Sequence, residues 1–158
     1  MRVGIGYDIH ALKKGRRLVL GGVHIPFPKG LVGHSDGDAL YHAILDAALG
    51  AAGAGDIGDY FPDRDPAHKN ADSALFVKKI KALLDRRKFV IRHIDSVILA
   101  EAPKLVDFKS RMKKNISRAF GVSPDSVSVK AKTHEGFGEI GRGRAIACYA
   151  VVSLKARD

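Results

Sequence analysis

Three side chains suited to a transition metal lie close enough along the chain to converge on one ion. Asp8 and His10 are two residues apart in YDIH, and His42 follows in ALYHAILDAALG. Residues i and i+2 of a strand face the same way, so Asp8 and His10 can bind one ion. A helix that packs above the strand can contribute His42 as the third ligand. One carboxylate and two imidazoles suit zinc, and three protein ligands leave the fourth tetrahedral position open. The alternative is a turn aspartate with two structural histidines.

Two further groups could act on an anionic ligand. His34 and Ser35 precede the predicted helix of His42, where free N–H groups and the helix dipole attract phosphate. Ordinary capping of that helix by Ser35 is the alternative. Thr133 and Glu135 follow a predicted strand, and Glu135 could hold Mg²⁺ beside substrate phosphates. A solvated turn glutamate is the competing interpretation.

The length and composition limit the architecture and the compartment. With 158 residues and 46% hydrophobic composition, we expect one domain over residues 1–158. The lone Cys148 lies in an apolar run and is interpreted as a buried thiol in a reducing compartment. No segment approaches the roughly 20 apolar residues of a membrane helix, and no signal peptide precedes the first strand. We therefore expect a cytoplasmic protein that does not contact membranes.

The charge distribution indicates what the protein binds. The net charge of +10 favours anionic partners. Seven of the 17 acidic residues nevertheless fall in one 30-residue span in which Arg64 is the only basic residue, which predicts a pocket for cations and hydroxyls. Nucleic-acid binding is an alternative, but it needs stacking aromatics or a recognition helix, and the chain has no tryptophan. A third interpretation is a zinc phosphohydrolase that uses metal-bound water.

The order of predicted elements indicates the fold class. Strands are predicted at residues 2–8, 17–25, 93–100, 127–132 and 144–155. Helices are predicted from a Ser35 cap to the glycines at 50 and 53, over 72–87 and over 108–120, with a long loop at 53–66. The first helix would carry His42, Asp38 and Asp46 on one face. This order predicts an α+β protein, an α/β sandwich whose mixed sheet has its helices packed on one face.

Several segments together resemble a known family. YDIH, the block from Gly33 to Asp65, AEAPK, KAKTHE and GRG occur in an order and spacing similar to the 2-C-methyl-D-erythritol 2,4-cyclodiphosphate synthase family. The resemblance runs nearly end to end. It implies a lyase of the non-mevalonate isoprenoid pathway that cyclises 4-diphosphocytidyl-2-C-methyl-D-erythritol 2-phosphate and releases CMP. It also implies a homotrimer whose active sites lie between subunits, one giving the zinc side and the next the nucleotide side.

The same resemblance implies roles for individual residues. Asp8, His10 and His42 would bind Zn²⁺, Glu135 would bind Mg²⁺ or Mn²⁺, and His34 and Thr133 would stabilise the transition state. The substrate-binding positions implied near the zinc ligands are Asp8, Ile9, His10, His34, Ser35, His42, Asp56, Ile57, Gly58, Phe61, Pro62, Asp63, Arg64 and Asp65. Those implied for the cytidine diphosphate portion are Ala100, Glu101, Ala102, Pro103, Lys104, Leu105, Val106, Lys132, Thr133, His134 and Glu135. Arg142 is a further implied substrate-binding position.

The segment after Glu135 departs from the family pattern. The family carries an aromatic at the place of Glu139, and an acid followed by glycine where this chain has Arg144 and Ala145. In the family, Arg142 lines a cavity on the three-fold axis, so Arg142 and Arg144 together would gather six arginines there in a trimer. Like charges repel unless anions or acids compensate them. We expect an isoprenoid diphosphate or another anion at this axis, with Glu139 as an internal partner. The alternative is that these arginines are exposed to solvent and hold no ligand.

Overall fold

A five-stranded sheet and a layer of helices make up most of the structure. The computed structural model describes residues 1–33, 35–62 and 71–157. The strands are β1 (Arg2–Lys14), β2 (Leu18–Leu20), β3 (Val23–Ile25), β4 (Lys29–Leu31), β5 (Phe89–Leu99), β6 (Val127–Lys132) and β7 (Ala145–Ala156). The helices are α1 (Ala39–Ala52), α2 (Ile57–Tyr60), α3 (Ser73–Arg86), α4 (Lys109–Phe120) and α5 (Gly138–Gly141), with a 3-10 turn at Pro124–Ser126.

The main sheet is mixed, which confirms the predicted class. Its strand order is β4-β1-β7-β5-β6. The β5–β6 pair is parallel, whereas β1 with β4, β1 with β7 and β5 with β7 are antiparallel. Strands β2 and β3 form a separate two-stranded ribbon. Within the part of the chain that the structure describes, no helix is both long and apolar enough to cross a bilayer.

The two faces of the sheet differ in what covers them. The face that packs against α1, α3 and α4 carries buried side chains such as Ile98 and Cys148. The opposite face remains open over much of its area and presents Ile5, which is 69% exposed. The short helix α5 packs on that second face, where Ile140 meets Ala147. The prediction of helices on one face therefore holds for α1, α3 and α4 but is wrong for α5.

Helix α1 lies on β1 with backbone against backbone. A Cβ atom added at Gly6 would lie 2.0 Å from the carbonyl oxygen of Ala43, and one at Gly4 would lie 2.1 Å from that of Ala47. Real Cβ contacts do not approach so closely, so only glycine fits at either position. The close approach brings the first turn of α1 directly above β1, where Asp8 and His10 lie.

Asp38 begins α1, so the predicted cap at Ser35 is wrong. The Asp38 side chain accepts from the backbone N–H of Tyr41 at 3.1 Å, and also from Gly21 at 2.9 Å and Gly22 at 2.7 Å. Asp38 is fully buried. The prediction that Asp38 shares a helix face with His42 is also wrong, because Asp38 instead ties α1 to the β2–β3 turn.

Other element boundaries also differ from the sequence prediction. Strand β1 continues six residues past Asp8 to Lys14. The predicted strand at 17–25 is a hairpin instead, because Gly21 and Gly22 both have positive φ and form its two-residue turn. The predicted loop at 53–66 contains α2, and β4 has no predicted counterpart.

Candidate active site

The three predicted metal ligands converge in the structure. Asp8 and His10 project from β1 towards α1, and His42 descends from the first turn of α1. His10 Nε2 lies 2.8 Å from Asp8 Oδ2, His42 Nδ1 lies 3.0 Å from the same oxygen, and the two nitrogens are 3.4 Å apart. Tetrahedral zinc with bonds of about 2.0–2.1 Å places its ligand atoms about 3.3 Å apart. The donor set and its spacing therefore fit a divalent metal of the zinc type.

Hydrogen bonds prepare this cluster to bind a cation. Burial by itself would raise the pKa of Asp8, but the His10 and His42 side chains that lie against its carboxylate outweigh burial and lower the pKa to about 2. Asp8 is therefore anionic at neutral pH. On the outer side of His10, Nδ1 donates to the Val32 carbonyl at 2.6 Å, which directs Nε2 and its lone pair to the cluster.

Ser35 lies beside His42 and takes no part in capping α1. Its hydroxyl is 3.3 Å from His42 Nε2 and accepts from the backbone N–H of Gly37 at 3.3 Å. Ser73 Oγ is nearer to the same nitrogen, at 3.0 Å. The sequence therefore predicted the proximity of Ser35 to the metal ligands correctly, but it gave no indication of Ser73.

A cavity of about 690 Å³ opens beside the three ligands. Its walls join the metal cluster to several residues that the family resemblance implied. The lining residues are Asp8, His10, Val32, Gly33, Ser35, His42, Asp46, Ile57, Gly58, Phe61, Pro62 and Phe76. Asp46 Oδ1 accepts from the N–H of Ile57 at 2.8 Å and so anchors α2 at the cavity wall.

Some predicted site residues do not line this cavity. Asp56 caps α2 by accepting from the N–H of Asp59, and the Asp59 side chain accepts from the Asp56 N–H in return. Ile9 points to the opposite sheet face, and only its backbone N–H contacts Asp8, at 3.0 Å. His34 and the three residues at 63–65 lie outside the residues that the structure describes.

Two lining residues had no predicted role at the site. Phe76 is buried, as the apolar stripe of its helix predicts, and its ring also stacks on Phe61 at 4.2 Å and lies 6.2 Å from the His42 ring. Asp46 was placed on the His42 face of its helix but received no role. The spacing of four residues between His42 and Asp46 is the signal that could have placed both at one site.

A second cavity of about 230 Å³ lies at the far edge of the sheet. It is formed by the loop after β5 and the end of β6, and Glu101 joins these segments by accepting from the N–H of His134 at 3.2 Å. The lining residues are Ala100, Glu101, Pro103, Lys104, Leu105, Val106, Lys109, Ala131, Lys132 and Thr133. Ala102, His134 and Glu135 adjoin these segments but do not line the cavity, and the Thr133 hydroxyl donates to the Glu135 carboxylate.

The two cavities lie at the same end of the sheet but on different strands. The strand register places Lys132 beside Leu99, Leu99 beside Ala147, and Ala147 next to the partner of His10. Strands β7 and β5 stand between β1 and β6, and three strand spacings amount to about 14 Å. The cavities have no lining residue in common.

The predicted partnership of Glu139 is present within the chain. Arg142 Nη1 donates to Glu139 Oε1 at 3.3 Å, and Arg144 Nη1 approaches Glu139 Oε2 at 3.3 Å. All three side chains are largely exposed. One carboxylate therefore bridges the two guanidinium groups around α5.

The sequence comparison agrees with the family resemblance. The sequence pattern of the YgbB family matches residues 1–155. The chain is 53% identical over 151 residues to a 2-C-methyl-D-erythritol 2,4-cyclodiphosphate synthase of Pelotomaculum thermopropionicum, an alignment that covers 96% of this chain and 93% of the relative. The similarity thus extends over nearly the whole of both chains.

Solved structures show the same fold. The bifunctional IspDF from Campylobacter jejuni matches with a TM-score of 0.95 at 41% identity, over 99% of this chain and 42% of that longer chain. The IspF protein of Plasmodium falciparum in complex with CDP matches with a TM-score of 0.87 at 38% identity, over 99% of this chain and 97% of the other. The chain therefore belongs to the YgbB family, the family of the 2-C-methyl-D-erythritol 2,4-cyclodiphosphate synthases.

Proposed function

We propose that the chain cyclises 4-diphosphocytidyl-2-C-methyl-D-erythritol 2-phosphate to 2-C-methyl-D-erythritol 2,4-cyclodiphosphate and releases CMP. An oxygen of the 2-phosphate attacks the β-phosphorus, and the bond from that phosphorus to the CMP oxygen breaks. The observation that carries the proposal is the Asp8, His10 and His42 cluster at a 690 Å³ cavity, in a chain 53% identical to a synthase of this name. As part of this proposal, residues 1–158 act as one domain in the cytoplasm, where the lone buried thiol of Cys148 stays reduced.

The proposed cofactors follow from the donor atoms. Two imidazoles and a carboxylate suit Zn²⁺, and the exposed Glu135 carboxylate beside Thr133 suits Mg²⁺ or Mn²⁺ that shares its shell with substrate phosphates. When bound, these ions polarise and neutralise the phosphate oxygens of the substrate.

The side chains of the protein align the substrate and offset its charge. A phosphate oxygen is already anionic at neutral pH, so the reaction needs no general base. Catalysis of phosphoryl transfer then rests on positioning and charge neutralisation. Lys104 and Lys132 supply positive charge at the cavity proposed for the cytidine diphosphate. Support for that ligand comes from the Plasmodium falciparum relative, whose structure is a complex with CDP.

The remaining predicted residues receive roles in the same proposal. His34 and Thr133 stabilise the transition state. The residues Ile57, Gly58, Phe61 and Pro62, which line the larger cavity, surround the methylerythritol phosphate together with Asp56, Asp63, Arg64 and Asp65. Carboxylates in this segment suit recognition of the substrate hydroxyls. Ser35, close to His42 Nε2, contacts a substrate phosphate.

The proposed assembly is a homotrimer with its active sites between subunits. Two observations support it. The zinc-side and nucleotide-side cavities stand three strand spacings apart in one chain, so a neighbouring subunit can bring a nucleotide side to each metal cluster. The sheet face opposite α1 is apolar and open, as an interface between subunits requires. Its exposed residues are Val3, Ile5, Tyr7, Ile9, Tyr149 and Val151.

The proposed trimer also has an anion site on its axis. The guanidinium groups of Arg142 and Arg144 already contact Glu139, so each chain offsets part of its own charge. An isoprenoid diphosphate or pyrophosphate then neutralises the remainder. Thermal unfolding should occur at a higher temperature with either ligand, and an unchanged melting temperature would argue against the axial site.

Product analysis tests the proposed reaction. The metal-loaded enzyme is incubated with the diphosphocytidyl substrate, and the products are separated by anion-exchange chromatography and ³¹P NMR. CMP with a cyclic diphosphate is the expected result. CMP with an open-chain phosphate would instead identify a phosphohydrolase that uses water as the nucleophile.

A further inference from the structure

A chain of hydrogen bonds runs from the metal cluster into the segment before α1. His42 Nε2 lies 3.0 Å from Ser73 Oγ, and that hydroxyl donates to Asp36 Oδ1 at 2.5 Å. Ser73 is fully buried in the first turn of α3. Neither Ser73 nor Asp36 is among the site residues that the sequence predicts.

The Asp36 carboxylate is held in place by several donors. It accepts from the backbone N–H of Ser73 and from that of Asp38, both at 3.2 Å. The backbone N–H of Asp36 itself donates to the Ala71 carbonyl at 3.0 Å. The carboxylate therefore sits against the N-terminus of α3, where free N–H groups favour negative charge. These contacts leave Asp36 little freedom to turn away from the Ser73 hydroxyl.

The direction of the hydrogen bonds fixes the tautomer of His42. A serine hydroxyl has one proton to donate, and that of Ser73 goes to Asp36. Ser73 Oγ can then only accept from His42, so the imidazole hydrogen lies on Nε2. A neutral imidazole protonated at Nε2 keeps its lone pair on Nδ1. Nδ1 is the atom that faces Asp8 Oδ2 and His10 Nε2, at 3.0 and 3.4 Å.

We propose that Asp36 and Ser73 are positioning residues that hold His42 in the tautomer and orientation that present Nδ1 to the metal. The hydrogen-bonded series Asp36–Ser73–His42, called the relay below, fixes the ring orientation and tautomer of His42. The Val32 carbonyl fixes those of His10 in the same way. The proposal rests on the metal site proposed above and adds the residues behind it. Losing such an outer partner typically weakens metal binding 10- to 100-fold.

Zinc affinity is the first test. Apparent dissociation constants are measured by competition with a chromogenic chelator for the wild type, Ser73→Ala, Asp36→Asn and the double variant. Ser73→Ala should weaken zinc binding about 10- to 100-fold. The double variant should be no weaker than Ser73→Ala, because two residues that act in series are not additive.

Ser96→Ala is the matched control. Ser96 is also a buried serine, and its hydroxyl donates to the Ser128 carbonyl at 2.9 Å within the sheet. Ser96→Ala also removes one buried serine hydroxyl but leaves the relay intact, so zinc affinity should be unchanged. An equal loss of affinity in Ser96→Ala and Ser73→Ala would show a general effect of core damage and would overturn the relay.

The tautomer itself is the second test, and it needs no variant to fold. Imidazole ¹⁵N NMR of the zinc-loaded wild type should show His42 with hydrogen on Nε2 and metal on Nδ1. Zinc bound through Nε2, or wild-type affinity in both single variants, would overturn the relay alone. A wild-type chain that takes up no zinc would overturn the metal site together with the relay.

Discussion

At the scale of single residues, the metal cluster depends on which ring nitrogen faces inwards. His10 uses Nε2 because its Nδ1 donates to the Val32 carbonyl, and His42 uses Nδ1 because its Nε2 faces Ser73. Asp8 stays ionised, with a pKa of about 2, because the two imidazoles lie against its carboxylate and outweigh the effect of burial. The identities and the orientations of these residues together determine the affinity for metal.

Replacing His42 with alanine should abolish zinc binding and activity together. Two ligands remain, and they cannot close the tetrahedral site that three ligands and the substrate complete. Metal content by mass spectrometry and CMP release measure the two losses. The exposed His24, on β3, provides the control, because His24→Ala removes an imidazole without touching the cluster. A metal-free His42→Ala protein with full turnover would contradict the proposed mechanism.

Replacing Lys104 with alanine should weaken nucleotide binding and leave the chemical step largely intact. A hydrogen bond to a charged group contributes about 1.5–3 kcal/mol, so KM and the CDP dissociation constant should rise by about 10- to 100-fold. Steady-state kinetics and calorimetry with CDP separate this from a change in kcat. Lys114→Ala, on the exposed surface of α4, changes the net charge equally and should bind CDP normally. A fall in kcat with an unchanged KM would assign Lys104 to the chemical step instead.

At the scale of elements, the contact between α1 and β1 sets the geometry of the metal ligands. Gly4 and Gly6 let the helix backbone touch the strand, so His42 reaches Asp8 and His10. Asp38 fixes the start of the helix through three backbone N–H groups. These contacts fix both the distance of α1 from β1 and the position of α1 along its own axis.

Gly6→Ala should lower both stability and zinc affinity. The added methyl would lie 2.0 Å from the Ala43 carbonyl oxygen, so the helix must shift outwards. Overpacking of this kind typically costs about 1–3 kcal/mol of unfolding free energy. Urea denaturation and chelator competition measure the two effects.

Gly50→Ala is the control for Gly6→Ala, because it adds a methyl group on α1 where there is space for it. Its added Cβ would meet only the Ile5 carbonyl oxygen, at 4.0 Å, and alanine favours a helix over glycine by about 0.8–1.0 kcal/mol. We expect a small gain in stability and no change in zinc affinity. Equal losses of stability in Gly50→Ala and Gly6→Ala would show that an added methyl is harmful regardless of the space around it, and the close-contact argument would fail.

The sequence predicted the parts of the site that local periodicity determines. Alternation along a strand placed Asp8 and His10 on one face, and helical spacing placed His42 and Asp46 together. It placed the cap of α1 wrongly at Ser35, because both serine and aspartate cap helices and the contacts of Asp38 to Gly21 and Gly22 decide between them.

Long-range contacts account for what the sequence did not predict. Ser73 reaches His42 from α3, 31 positions away along the chain, and no local pattern encodes that contact. The order of the strands and the separation of the two cavities depend on pairings between distant segments. Strand β4 has only three residues, too few to show an alternating pattern.

At the scale of the whole molecule, the proposed homotrimer accounts for both the open sheet face and the separation of the two cavities. Apolar side chains cover the face opposite α1, and the cavity proposed for the nucleotide lies away from the metal cluster of its own chain. A neighbouring copy would bury the first and complete the second. Assembly and activity should therefore be lost together.

Ile5→Lys should convert the proposed trimer into an inactive monomer. Ile5 is 69% exposed at the centre of the apolar face, and a buried lysine without a partner strongly disfavours association. Light scattering coupled to size exclusion measures the mass, and CMP release measures activity. Leu75→Lys introduces the same charge at a 56% exposed leucine on α3 and should leave the trimer intact. A fully active Ile5→Lys monomer would show that one chain holds the whole site.

Mixed trimers test whether the sites are divided between subunits. His42→Ala removes a ligand of the proposed zinc site and Glu135→Ala the ligand of the proposed magnesium site, so each variant alone should be inactive. If both sides come from different chains, random mixing in equal amounts leaves about a quarter of the interfaces with two intact halves. CMP release after unfolding and refolding the mixture together should recover to that level. Persistent inactivity would place both halves in one chain.

The glycine contact between α1 and β1 makes catalytic geometry and thermal stability separable properties. Where two backbones are in direct contact, the distance between helix and strand depends on the van der Waals radii of backbone atoms and not on the size of a side chain. Aliphatic residues elsewhere in the core, such as the fully buried Ile44 and Ile98, can drift in size and change the melting temperature. The spacing of the metal ligands stays constant through such drift. Core substitutions, whether natural or engineered, can therefore change the melting temperature of this fold without changing the geometry of its metal ligands.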